Sequence, residues 1–154
     1  MTKDRATPPT ILVVDDDSAS GDIVARLLAR EGYGTRVASS GVEGLRILRT
    51  EAIDLILLDV MMPGMDGLQV CAALHAEHSR VPIILLTAKD DTNTRAEGMH
   101  LGVTEFLTKP INRAELLGRV RAQLHVIDLA RQLETVERNL RQSPKRPSSE
   151  PDES

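Results

Sequence analysis

Short apolar runs alternate with helix-period stretches five times along this 154-residue chain, and that alternation leaves few folds open. The runs are Ile11-Leu12-Val13-Val14, Thr35-Arg36-Val37-Ala38, Leu55 to Leu58, Val81-Pro82-Ile83-Ile84-Leu85-Leu86 and Glu105-Phe106-Leu107. Most are continuously apolar and do not alternate in and out. Strands of that kind are buried on both faces, which means a parallel sheet covered by helices. Between them, Ile23, Val24, Leu27 and Leu28 share one helical face before Gly32, a fitting helix stop. Ser40-Gly41-Val42-Glu43 has the capping-box form, Asp66 and Gln69 are spaced as cap partners, and Asn112 and Glu115 open a last helix. Residues 91–101 read as a polar, weakly amphipathic helix. Right-handed crossovers then give an α/β fold, a doubly wound five-stranded parallel sheet of the flavodoxin-like (βα)5 kind, with its ligand site at the carboxyl ends of the strands.

The core of such a fold must here be aliphatic, because the chain has one Phe, one Tyr and no Trp. That shortage also argues against single-stranded nucleic acid, which stacks its bases on aromatic rings. The net charge of −4 offers no basic field for a polyanion, so no nucleic-acid partner is expected. The single Cys71 cannot make an internal disulfide and sits in no metal-ligand spacing. A reducing, cytoplasmic setting is the expectation, with no signal peptide in MTKDRATPPT and no membrane span.

Four domains of behaviour are expected along the chain. Residues 1–9 form a flexible arm, 10–125 a folded domain, 126–142 a helical extension, and 143–154 a disordered Pro/Ser/Glu-rich tail. In the extension, Val126, Leu129, Leu133, Val136 and Leu140 recur at spacings of 3, 4, 3 and 4, a heptad seam. Two readings stand: the helix packs on its own domain or frays, or it pairs as a homodimer stalk or signalling helix.

The strand ends carry the chemistry. Asp15, Asp16 and Asp17 follow the first run, Asp59 the third, Thr87 the fourth and Lys109 the fifth. A parallel sheet brings these ends to one edge. Crowded carboxylates raise one another's pKa unless a cation intervenes. A hard, oxygen-seeking ion such as Mg²⁺ resolves the conflict and completes its shell with a phosphoryl oxygen. Lys109 and Thr87 would serve the remaining phosphoryl oxygens. Asp59, alone at the tip of a central strand, is the candidate acceptor for an aspartyl-phosphate.

The segments ILVVDDD (11–17), LILLDVMMPGMDG (55–67), PIILLTA (82–88) and EFLTKP (105–110), in this order and at these distances, resemble the receiver domain of bacterial two-component response regulators. The resemblance covers about residues 10–125. It implies a phosphorylation-activated switch and not an enzyme beyond slow self-dephosphorylation. It implies Asp59 as phosphoacceptor, Asp15, Asp16, Asp59 and the Met61 backbone carbonyl as Mg²⁺ ligands, and Thr87 and Lys109 in the hydroxyl and lysine roles. It also implies Met61 and Lys89 as modulators of dephosphorylation, a cis Lys109-Pro110 bond, and a switch coupling Thr87 to Phe106 through the surface of helix four, strand five and helix five. A histidine kinase or phosphotransfer protein would be the donor, and a downstream protein the target.

Blander roles are expected for other residues. Asp17 is read as a helix cap, Cys71 as a small core residue, and His75, His78, His100 and His125 as surface residues. Met61, Met62 and Met65 are read as packing and loop geometry, and Gly64 and Gly67 as suppliers of backbone freedom. One alternative is the receiver fragment of a longer regulator with an effector domain. A small Asp-nucleophile phosphatase of the haloacid-dehalogenase type ranks lower, since Asp15-Asp16-Asp17 holds its DxD but Ala19 stands where that family has Thr or Val. A flavodoxin-like cofactor binder ranks lower too, because three acids would repel a flavin phosphate.

Overall fold

The computed structural model describes residues 7–88 and 91–142. The expectations for the first six residues of the arm, for Lys89 and for the 143–154 tail therefore lie outside the described residues. The elements run β1 (Thr10–Val14), α1 (Ser18–Arg30), β2 (Gly34–Ala38), α2 (Gly41–Thr50), β3 (Leu55–Asp59), α3 (Gly67–Ala76), β4 (Ile83–Thr87), α4 (Thr92–His100), β5 (Glu105–Thr108) and α5 (Arg113–Gln142). All strand pairs are parallel, in the order β2-β1-β3-β4-β5. This is the doubly wound α/β fold expected from the alternation, with an extended last helix.

The continuous apolar runs serve two cores at once. Successive side chains of a strand point to opposite faces. Leu12, Val14, Ile56, Leu58, Ile83 and Leu85 join Leu45, Val70, Cys71 and Leu74 of α2 and α3. Ile11, Val13, Leu55, Leu57, Ile84 and Leu86 join Val24, Leu28, Leu116 and Val120 of α1 and α5. Cys71 is a fully buried core residue, as expected, and burial pushes its thiol up to about 12.

Local signals set the helix ends. Asp17 caps α1 and accepts from the N–H groups of Ala19 and Ser20. Asp66 and Gln69 complete a capping box on α3. Ser40 caps α2, but the Glu43 carboxylate reaches one residue further back than the box form implies, to the Ser39 N–H. Asn112 accepts from the Glu115 N–H at 2.9 Å and starts α5. Gly32 ends the α1 turn with φ of +94°, and the Lys109-Pro110 bond is cis.

Gly67 has a steric duty besides loop freedom. A Cβ there would lie 2.6 Å from the Asp59 carbonyl oxygen and 2.8 Å from the Val60 Cα. The first turn of α3 is thus seated directly on the backbone that ends β3, and only a residue without a side chain lets it sit there. Gly67→Ala is expected to lower the urea midpoint by the equivalent of about 1–3 kcal/mol, the range for overpacking a rigid contact. An unchanged midpoint would mean that the α3 turn yields freely.

Candidate functional site

Strand register assembles the crevice. Val14 pairs with Leu58, so the next step along both strands sets Asp15 beside Asp59. Asp59 pairs with Leu86, which puts Thr87 one step beyond, and Thr87 pairs with Thr108, which puts Lys109 one step beyond that. Asp59 and Thr87 are therefore held within the ladders, Asp15 and Lys109 are held one step beyond them by backbone bonds to Ala38 and Thr87, and Asp16 lies past the end of β1. Of the predicted site residues, Asp15, Asp59 and Thr87 are buried, Asp16 is exposed and Lys109 is half-exposed.

One side-chain oxygen from each of Asp15, Asp16 and Asp59 lies within 4.8 Å of the others, an arrangement that could hold a metal ion. Asp17 is outside this group, turned away to cap α1. The Lys109 ammonium donates to Asp59 Oδ2 at 2.8 Å, and the Met61 N–H donates to Asp59 Oδ1 at 3.1 Å. The Asp17 N–H donates to Asp15 Oδ1 at 3.0 Å. The Thr87 hydroxyl is buried and has no hydrogen-bond partner. A buried donor left unmade costs about 1–3 kcal/mol, so it marks a place where an acceptor belongs.

The carboxyl of Asp15 is held above its ordinary range. Burial is the largest cause and the neighbouring Asp59 charge adds to it, while the Asp17 N–H and Lys109 pull the other way. The Asp17 carboxyl is lowered, chiefly by its hydrogen bond to Ser20.

Met61 is exposed at the rim, Met62 is buried in the core and Met65 packs against it, so the three methionines do not form a soft-metal cluster. All four histidines are exposed. Phe106 is partly buried against the core below α4. Two of its neighbours escaped the sequence reading. The Arg95 guanidinium sits 5.7 Å from the ring centroid and donates to the Thr108 hydroxyl. A Cβ on Gly98 would lie 3.2 and 3.3 Å from the ring edge. The only available signal was a glycine and an arginine three apart on one helix face, in a chain with a single Phe.

Fold and crevice together define a flavodoxin-like domain whose strand ends carry an acid cluster faced by a lysine and a threonine. Residues 11–121 match the family described as the response regulator receiver domain, and the chain belongs to that family. Over 117 residues it is 43% identical to the response regulator MprA of Mycobacterium sp. (strain KMS), covering 76% of this chain and 51% of that protein. It thus spans about half the length of the relatives of this kind that it matches. A receiver domain of a Francisella response regulator superposes with TM-score 0.73 at 34% identity, covering 77% of this chain and 98% of that one. Chemotaxis protein CheY4 of Vibrio cholerae superposes with TM-score 0.71 at 30% identity, covering 75% and 98%. Receivers of this family are signalling switches of two-component systems and not classical enzymes. Among the described residues, no helix is long and apolar enough to cross a membrane.

A native pKa above the unfolded value of about 3.9 means that the folded state holds the extra proton, so stability falls as pH rises through that window. Asp15→Asn keeps the acceptor for the Asp17 N–H and removes one of two adjacent charges. Without divalent cation, the variant is expected to melt above wild type at pH 7, with the advantage shrinking as pH falls towards 4. Thermal melts across that range check it. A variant that melts lower at pH 7 would contradict the crowding of charge.

Proposed function

We propose that this chain is a phosphorylation-activated receiver in which Asp59 takes a phosphoryl group from the phosphohistidine of a kinase or phosphotransfer protein. An Asp59 carboxylate oxygen attacks phosphorus, the phosphorus–nitrogen bond breaks, and the imidazole leaves. The observation that carries this reading is the buried, unpartnered Thr87 hydroxyl beside the Lys109–Asp59 pair. A phosphoryl group on Asp59 would supply the acceptor that hydroxyl lacks, and would take over the Lys109 ammonium.

The donor set fits Mg²⁺. Asp15, Asp16, Asp59 and the Met61 carbonyl would hold it, all hard oxygens, and their crowded negative charge calls for a cation. The ion, when bound, would neutralise charge that develops on the phosphoryl oxygens. Asp15 and Asp16 position it, Lys109 steadies the acceptor, and the exposed Met61 side chain shapes water access together with Lys89.

Occupancy would be read out through Thr87 and Phe106. As the hydroxyl turns to the phosphoryl group, the Phe106 ring turns into the space it leaves, changing the α4–β5–α5 surface for a protein partner. Phe106 carries no hydroxyl, so hydrogen-bond gating at that position is absent. In its present place the ring has the Arg95 guanidinium over its face and the space left by Gly98 at its edge. A cytoplasmic setting goes with this reading. The phosphatase alternative loses ground because Asp17, the second acid of its DxD, caps α1 outside the cluster. Action as one part of a longer regulator stays compatible, since relatives such as MprA are about twice the matched length.

Incubation with acetyl phosphate and Mg²⁺ is expected to add the mass of one phosphoryl group to wild type and none to Asp59→Asn. Labelling that survives Asp59→Asn would refute the assignment. A second expectation concerns the switch. In Gly98→Ala the added methyl crowds the ring, so amide NMR shifts around Thr87 should move part-way towards those of beryllofluoride-saturated wild type. Shifts in an unrelated direction would dissociate Gly98 from the switch.

A further inference from the structure

The α5 helix has two faces with different fates. Leu116, Val120, Leu124 and Ile127 pack on or against the domain. The same face continues with Arg131, whose guanidinium is 3.6 Å from Asp54, and Glu134, which pairs with Arg80 at 3.1 Å. Here the helix crosses the edge where β3 and β4 begin, with a cavity of about 210 Å³ between them lined by Ile53, Val81 and Pro82. The heptad residues take another direction. Val126, Leu129, Leu133, Val136 and Leu140 are 58%, 50%, 60%, 53% and 67% exposed. At about 100° per residue, their mean direction lies about 150° around the helix from the domain-facing stripe. The seam therefore does not pack on its own domain, although the helix does.

We propose that this seam is a self-association surface whose occupant is the same seam of a second copy of the chain. Charge distribution selects that occupant. The positions flanking the seam are His125, Ala130, Gln132, Glu137 and Asn139, with Glu137 the one acidic or basic residue apart from the histidine. Asp128, Arg131, Glu134, Arg138 and Arg141 lie on the other sides of the helix. Two copies can thus meet along the seam with little like-charge repulsion, whereas a helix of strong charge would find no complement there. The 3-4-3-4 spacing is matched by a partner with that same spacing, and a two-fold axis supplies one.

Area sets the strength. The seam is about 21 Å long and one helix wide, so it covers a few hundred Å² per chain, below the roughly 800 Å² per partner of a standard stable interface. The dimer is accordingly weak and reversible, and forms as concentration rises.

Sedimentation velocity of the full chain from about 10 μM to 1 mM tests this, with circular dichroism as the check on folding. The weight-average mass of wild type should rise towards that of a dimer. Leu133→Glu, at a site already open to solvent, should keep the circular dichroism spectrum and remain monomeric throughout. Leu129→Ala, a milder change, should weaken association at least several-fold. A wild type that stays monomeric at 1 mM overturns the proposal. So does association that Leu133→Glu leaves unchanged, which would place the contact elsewhere. Because the seam lies outside the crevice, Asp59→Asn should associate as wild type does, so loss of the phosphorylation reading would not by itself remove the dimer.

Discussion

The adjacency of β1 and β3 brings two carboxylates into contact, and much of the structure is arranged around that conflict. Register alone sets Asp15 beside Asp59, both out of water, at the carboxyl edge of the sheet. Like charges so placed repel far more strongly than on a surface. Lys109 offsets part of the repulsion by pairing with Asp59, and the Asp15 carboxyl, chiefly through burial and then through the Asp59 charge, binds its proton more tightly. The structure tolerates the conflict because the strands that cause it are locked on both faces by aliphatic packing.

That rigidity explains the division of labour around the site. The side chains that gather at Asp59 come from the strand ends or one step beyond them, where backbone ladders hold their neighbours. The two groups that flank the outer side of Phe106, Arg95 and Gly98, come from α4, whose polar sequence buries only Gly98. A helix with so little apolar anchorage can shift at small cost, and a helix of this kind is where a two-state surface is expected.

Much of this was legible in the sequence because it depends on periodicity and chain order. Continuous apolar runs specify a parallel sheet, and a parallel sheet brings Asp15, Asp59, Thr87 and Lys109 to one edge whatever the details. Asp17 was legible as a cap because a side chain just before Ser18 can reach the N–H groups of the first turn. Arg95 and Gly98 were not legible, since their importance comes from a ring contributed by β5 and their own helix shows almost no amphipathic pattern. The heptad seam was legible as a spacing but not as a direction. Which face of α5 the domain takes is set by the packing of Leu116, Val120, Leu124 and Ile127 on elements remote in sequence, with Arg131 and Glu134 pairing Asp54 and Arg80 along the same face.

The length of α5 has a mechanical consequence. Its thirty residues form a rod of about 45 Å that begins four residues after Lys109. A rod turns angle into displacement. Tilting it by about 3° about its first turn would carry its far end through roughly 2 Å, more than most side-chain contacts tolerate. The ion pairs of Arg131 and Glu134 stand midway to late along this rod, tie it to the domain and resist that tilt. Their partly exposed charges are screened by salt, so the stiffness of the lever, and not only the chemistry at its base, would depend on ionic strength.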